Sequence, residues 1–310
     1  MLKFDKTTPV LFLVFNRPET TAVVFEEIRK AQPLYLYVAA DGARSPEEQS
    51  KVEQVRDIVQ KVDWDCEVKT LFRAQNLGCR KAVSTAIDWF FSHVEEGIIL
   101  EDDCLPSESF FAFCSHLLAE YRNDDRIGHI GGSNFQMGKT IGDGSYYFSR
   151  LTHVWGWASW RRVWNTYDVD MKSFEQFTVN HLENLASHAA YRNIWYRNLS
   201  ATFHQNINTW DYQYAYCNLI NNRLSIIPNS NMIKNIGFGE DATHTFGDHP
   251  HANLPTHEIT EIIAPSFFIP DAQADLFTQS VEHPIVPERR KGLLSRTWKS
   301  VKQKLKDKGN

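Results

Sequence analysis

The stretch Gly97-Ile98-Ile99-Leu100-Glu101-Asp102-Asp103-Cys104-Leu105-Pro106 places three adjacent carboxylates directly behind a short apolar run. Ile98 to Leu100 reads as a buried strand. Three acids in a row repel one another, so either solvent screens them or a cation neutralises them. Two hard oxygen ligands beside an open position suit Mg2+ or Mn2+, which keep waters and substrate phosphates in their shell. The other reading is a solvated acidic turn leading into the helix opened by Pro106-Ser107-Glu108, where negative charge is favoured. The triplet alone leaves both open.

Stepping outward, each apolar run is followed by polar residues. Val10 to Phe15 is a buried strand, and Asn16-Arg17-Pro18-Glu19 turns into a helix reaching about Lys30. Leu34 to Ala39 is a second strand, closed by Asp41-Gly42. Ser45-Pro46-Glu47-Glu48 has the form of a capping box with proline at the first helical position, opening a helix to about Val62. Glu67 to Phe72 is a third strand, and Asn76-Leu77-Gly78 turns into a helix from Arg80 to Val94. Strand and helix alternate, and the strands are continuously apolar, so the sheet is parallel and covered by helices. Ligands of such sheets bind at the strands' carboxyl ends. Asn16-Arg17, Asp41-Gly42, Asn76 to Arg80 and Glu101 to Asp103 all fall on that rim. No GxGxxG follows the first strand and no GxxxxGK[ST] occurs, so the usual phosphate cradles are missing. A nucleotide diphosphate here needs a metal and arginines instead. Arg17 and Arg80 are placed for that, Arg80 by its position on the rim alone.

The second half is aromatic. Ser107 to Arg122 reads as helix and Ile127 to Ile130 as strand. After them come the Gly131-to-Asn134 turn, a glycine-rich loop from Gly138 to Gly144 and a short strand from Tyr146 to Phe148. His153 to Trp164 carries four tryptophans, which suit a core but also sugar stacking, and Gly156 would let the backbone approach a ligand. Helix is expected over Glu183 to Phe203 and Tyr212 to Ile220, and strand over Ser225 to Ile227. Asp211, after Trp210, stands where an N-cap is common.

Composition narrows the classes. The 310 residues carry a net charge of −5, but Glu288 to Lys308 alone is about +7, leaving the rest at about −12. An acidic body does not suit nucleic-acid backbone binding. The five cysteines show no CxxC spacing, and reduced thiols of a cytoplasmic protein are expected. No apolar run reaches about 18 residues, and no signal peptide precedes Val10, so no span or leader is expected. In the tail, Leu294, Trp298, Val301 and Leu305 fall on one helical stripe among lysines and arginines. That is either an interfacial helix on an anionic membrane surface or a solvated end. An anchored tail would put the protein on the inner face of the cytoplasmic membrane and make a lipid-linked acceptor the expectation, as in bacterial polysaccharide assembly.

The ordered set FNRP (from Phe15), DG (Asp41), EDD (Glu101), GW (Gly156), WD (Trp210) and the IGFG loop (from Ile236) resembles the GT-A nucleotide-sugar glycosyltransferases. Within them it is most similar to the N-acetylglucosaminyltransferase I-like group, from about Val10 to His244. The resemblance implies a Rossmann-like, mostly parallel central sheet with helices on both faces. It implies a glycosyltransferase domain over 1–255, with a donor half of about 1–135 and an acceptor half of about 136–255. An extension over 256–287 and the basic amphipathic tail at 288–310 follow. The implied reaction is inverting transfer of a sugar from a UDP-sugar to a hydroxyl of a saccharide or lipid-linked saccharide, with Mn2+ or Mg2+. Asp103 would ligate the metal bridging the donor diphosphate, Asp102 would face the ribose, and Glu101 the donor sugar. Asp41 would accept from the uracil ring nitrogen, and Arg17 would pair with the diphosphate, with Asn16 beside it. Gly156-Trp157 corresponds to the acceptor-side turn. Asp211 corresponds to the catalytic base beside Trp210, with Tyr212 where the family commonly has a second acid. Phe238 to His244 corresponds to a loop that orders over the donor. The alternatives are a nucleotidyltransferase acting on sugar phosphates and a catalytically inactive sugar-binding relative. A nucleotidyltransferase would carry a glycine-rich basic loop after the first strand, where FNRP stands.

Overall fold

A computed structural model describes residues 2–238, 251 and 254–285. His244 of the expected donor loop and the whole amphipathic tail lie outside the described residues.

The first half alternates as expected. β1 (Val10–Val14), α1 (Pro18–Ala31), β2 (Tyr35–Ala40), α2 (Gln49–Val59), β3 (Glu67–Phe72), α3 (Gly78–His93) and β4 (Glu96–Glu101) follow in order. α1 shows how sequence sets an element. Pro18 opens it, Glu19 sits in its first turn, and Arg29 and Lys30 sit in its last, each charge complementing the helix dipole. Its buried face is Thr21, Val24, Phe25 and Ile28, a three-to-four-residue repeat. Burying each large apolar side chain there contributes about 1.5–3 kcal/mol. β1 and most of β2 are apolar and buried because both their faces are covered.

The expected capping box at Ser45 does not form. Ser45 makes no side-chain cap, and Pro46–Glu48 is a single 3₁₀ turn before α2. The Glu48 carboxylate accepts instead from the Arg44 side chain, from Arg44 N at 2.7 Å and from Asn16 Nδ2 at 2.6 Å. A charge-assisted guanidinium bond outcompetes the neutral backbone donor of the box.

The second half adds β5 (Cys104–Pro106), α4 (Glu108–Glu120), β6 (Ile127–Gly131), β7 (Tyr146–Ser149), β8 (Trp157–Trp160) and α5 (Arg161–Trp164). After them come α6 (Ala189–Phe203), α7 (Asp211–Ile220), β9 (Leu224–Pro228), β10 (Ile233–Asn235) and α8 (Ala272–Glu282). Helix α6 begins at Ala189 rather than Glu183, and the chain before it forms short 3₁₀ turns. The main sheet has the order β3-β2-β1-β4-β8-β6-β9-β7. β1 to β4 are mutually parallel, and β6 pairs parallel with β9. β8 and β7 run antiparallel to their neighbours. The fold is therefore α/β with a mostly parallel sheet. α1 packs against α2 and α4, while α3 packs against α5, so two helical layers enclose it. β5 and β10 form a separate antiparallel ribbon just beyond the acidic turn.

The aromatic stretch divides. β8 fills the gap between β4 and β6, and Trp157 and Trp160 on it are fully buried. Trp157 stacks on His129 at 5.5 Å and on Trp210 at 5.7 Å. His129 lies on β6 with Nε2 against His153 O at 2.9 Å, and burial holds its pKa down at about 3. It stays neutral in the fold and charges once unfolded, so its contribution is present above pH 6.5 and is lost as pH falls toward 3. Between pH 7 and 5 this one group should remove about 2 kcal/mol of stability. His129→Gln should lose about that much less over the same interval, read from urea midpoints. Equal losses in the two proteins would show that His129 is already charged in the fold.

Candidate functional site

The strand order reverses between β1 and β4. β2 and β3 lie on one side of β1, and the chain then crosses back to β4 on the other. Such a switch point opens a crevice at the carboxyl ends. A cleft of about 780 Å3 lies there, lined by Phe15 to Arg17 after β1, Asp41 and Arg44 after β2, and Arg73 after β3. Glu101 to Cys104 after β4 complete this end.

Arg17 and the acids meet across the switch point. Arg17 Nη1 lies 2.9 Å from Asp103 Oδ2 and 3.5 Å from Asp102 Oδ1. Asp102 Oδ2 also accepts from Phe15 N at 3.3 Å. Glu101 lies half-buried beside them. Burial, then Asp103, Asp102 and Asp211, push its carboxyl well above the ordinary range. Burial and Asp103 likewise push Asp102 up to about 7, against the pull of Arg17. The cluster thus carries more negative charge than its guanidinium balances, and it answers by holding protons. A divalent cation would relieve that excess, and the donors are hard oxygens, so the residues fit Mn2+ or Mg2+. Among the described residues no three His, Cys, Asp or Glu converge as a ready metal cage. Asp103 would hold the ion, the remaining positions going to water and phosphate, with Asp102 beside it toward the ribose.

The ribbon of β5 and β10 brings the start of the IGFG loop onto this turn. Ile236 N donates to Asp103 O at 2.8 Å, and a Cβ at Gly237 would stand 2.3 Å from Asp103 Oδ2. Only glycine lets the backbone lie so close to the carboxylate. Phe238 packs edge-on against Trp155 at 5.7 Å.

Asp41 is buried and organises the neighbouring turn. Its carboxylate accepts from Leu77 N at 3.0 Å and Gly78 N at 3.2 Å. Asn76 Nδ2 donates to Gly42 O at 2.8 Å, tying the turns after β2 and β3 together. Two backbone bonds leave a carboxylate with acceptor capacity to spare. Asn16 lines the cleft, with its amide donor committed to Glu48.

Asp211 lines the same cleft. It is the first residue of α7 rather than its N-cap, which is Trp210. Oδ1 accepts from Thr209 Oγ1 and from Tyr212 N at 2.8 Å, while no described group bonds to Oδ2. The side chain is thus held by one oxygen and presents the other.

Three expected site residues are placed elsewhere. Arg80 does not line the cleft; its guanidinium bonds to Val169 O and pairs with Asp170 at 3.3 Å. Position 80 lies within the first turn of α3, which rotates its side chain away from the rim. Trp157 is core, because β8 must fill a sheet interior. Trp155, two residues earlier, is the tryptophan of this stretch that lines the cleft. Gly156 adopts φ +57°, and a Cβ there would stand 2.4 Å from Ile233 Cδ1, so its space is taken by packing. Gly156→Ala should cost about 1–3 kcal/mol, since overpacking and a left-handed backbone both oppose it. A guanidinium-chloride midpoint within error of the parent would overturn that packing role. Trp210 touches the cleft edge but is otherwise buried against Trp157.

Sequence reasoning passed over Arg44, Arg73, His153, Trp195 and Glu282, all of which line the cleft. The two arginines were within reach of the rim rule, lying just after β2 and β3. Arg44 sits over the Phe15 ring at 5.2 Å. Trp195 and Glu282 arrive on α6 and α8, whose docking no local pattern announces.

No protein-family model and no curated protein matches the sequence. Among solved structures, a cytidylyltransferase from Leptospira borgpetersenii overlaps 52% of this chain at 11% identity and a TM-score of 0.33. The chain spans only 63% of that protein. A UDP-glucose pyrophosphorylase complexed with UDP-glucose overlaps 51% of this chain and 78% of its own, at 10% identity and 0.32. An apo UDP-glucose pyrophosphorylase overlaps 71% of this chain and 90% of its own, at 10% identity and 0.34. Overlaps this loose carry no functional assignment.

Proposed function

We propose that the protein is a metal-dependent inverting glycosyltransferase that moves a sugar from a UDP-sugar to an acceptor hydroxyl. One observation carries the reading: Arg17, the acids after β4 and Asp211 all line one cleft at the sheet's switch point, with Asp211 near enough for Glu101 to feel its charge. A donor needs charge compensation at its diphosphate, and an acceptor needs a base within the same cleft. Mn2+ or Mg2+ at Asp103 would supply Lewis acidity to the leaving diphosphate.

The chain's own residues do the rest. Arg17, a planar fork beside the acids, balances phosphate charge. Asp41 and the turn it braces form the wall for the uracil ring. Glu101, desolvated at the end of β4, faces the donor sugar. Asp211 Oδ2 takes the proton from the acceptor hydroxyl as that oxygen attacks the anomeric carbon. With Asp211 as base and UDP as leaving group, the transfer is one displacement with inversion.

The test is nucleotide release from a panel of UDP-sugars with Mn2+, with and without a mixed saccharide acceptor pool. The expected result is acceptor-stimulated UDP release from at least one donor. Pyrophosphate release from UTP and a sugar 1-phosphate, with no UDP from any donor, would replace this reading with nucleotidyl transfer.

A further inference from the structure

Residues 256–285 are more than an appendage to the cleft. Helix α8 is fastened along its length. Asp271 caps it, accepting from Gln273 N at 3.0 Å and Ala274 N at 2.8 Å. The buried Asp275 accepts from Ser149 Oγ at 2.5 Å and Arg150 N at 3.0 Å. Gln136 Nε2 donates to Thr278 Oγ1 at 2.8 Å, and Trp195 Nε1 to Gln279 Oε1 at 3.2 Å. Bonds on successive turns fix where the helix ends, and its last residue, Glu282, lines the cleft.

Glu282 lies among groups that suit a sugar ring. Its carboxylate is 3.6 Å from His251 Nε2. Burial alone would raise its pKa, but His251 and His153 hold it below the ordinary value, so it is ionised at neutral pH. Trp155 and Trp195 are each partly exposed and line the same cleft. Tyr212 joins this end to the proposed base: its hydroxyl accepts from Asn198 Nδ2 at 3.1 Å and feels the charges of both Asp211 and Glu282.

Among the described residues, the arginines that line the cleft lie at the other end, while His153, His251 and His283 line this one. Arg17, Arg44 and Arg73 line the cleft, and all three follow the carboxyl ends of β1, β2 and β3. No Lys or Arg occurs between Lys234 and Arg289. Arg197 on α6 is exposed and does not line the cleft. Among the described residues that line this end, an anionic group would meet Asp211 and Glu282 beside three histidines and no lysine or arginine, and burial holds the His153 pKa down at about 4.

We infer that the α8 end of the cleft is an acceptor subsite for an uncharged saccharide, and that Glu282 makes it reject anionic sugars. Vicinal hydroxyls donate to the carboxylate while the ring lies on a tryptophan face. A uronate, phosphate or sulfate would instead be repelled. That the bound sugar accepts a glycosyl group rests on the reading above; that it binds does not.

The experiment is saturation-transfer NMR on the full chain with Mg2+ and UDP, using methyl β-D-glucopyranoside and methyl β-D-glucopyranosiduronate as probes. The glucoside should bind at least about tenfold more tightly than the glucuronide at neutral pH. Glu282→Gln should narrow that ratio, and Glu282→Lys should reverse it. Calorimetry of UDP with Mg2+ on the same samples reports whether each variant is folded at the donor end. Equal binding of the two probes, no binding of either, or a ratio unmoved in a folded Glu282→Lys protein overturns the inference. Selective glucoside binding without UDP binding would uphold the subsite and sink the transferase reading.

Discussion

Asp211→Asn should lose about 10²- to 10⁴-fold in turnover while binding UDP as the parent does. Asparagine keeps the oxygen that accepts from Thr209 Oγ1 and Tyr212 N, so the start of α7 is preserved. What it lacks is the capacity to take a proton at the second oxygen. That oxygen has no bond to any described residue, and the side chain lines the same cleft as the acid cluster. A carboxylate needed only to brace a helix would survive the change at nearly full activity. The measurement is steady-state turnover with a saturating UDP-sugar, beside thermal melting and UDP calorimetry. Near-parental turnover in a folded protein would reduce Asp211 to a structural residue.

Asp103→Ala should remove the metal's effect on UDP binding, with a loss of at least the 10- to 100-fold that weaker outer-shell changes produce. Asp103 is held by Arg17 on one side and hemmed by the Gly237 backbone on the other, so its carboxylate has one place to be. Removing it subtracts a charge from a cluster that is already over-acidic. The fold itself should therefore not suffer, and Asp102 should need its proton less, since Asp103 helps to raise it. Calorimetry of UDP with and without Mn2+ gives the answer. If Mn2+ still tightens UDP binding in the variant as in the parent, the ion is bound elsewhere and the proposed role of the acidic turn fails.

The sequence by itself determined the alternating first half and the rim. Val10 to Val14, Tyr35 to Ala40 and Ile98 to Leu100 are apolar without alternation, which only a strand covered on both faces tolerates. Parallel strands share a carboxyl end, so the polar groups after each were bound to gather, and Arg17, Asp41 and Glu101 to Asp103 do. The tertiary structure alone decided three further things. It decided which tryptophan of the aromatic stretch lines the cleft, because Trp155 precedes β8 and the left-handed Gly156 turns the chain between it and Trp157. The insertion of β8 between β4 and β6 buries Trp157 and leaves Trp155 to the cleft. It decided that Arg80 pairs with Asp170 while Arg44 and Arg73 line the cleft, since a side chain's direction within a turn depends on partners remote in the chain. And it brought Glu282 to the cleft through contacts with Gln136, Ser149 and Trp195. Long-range hydrogen bonds of that kind leave no periodicity in the residues that make them.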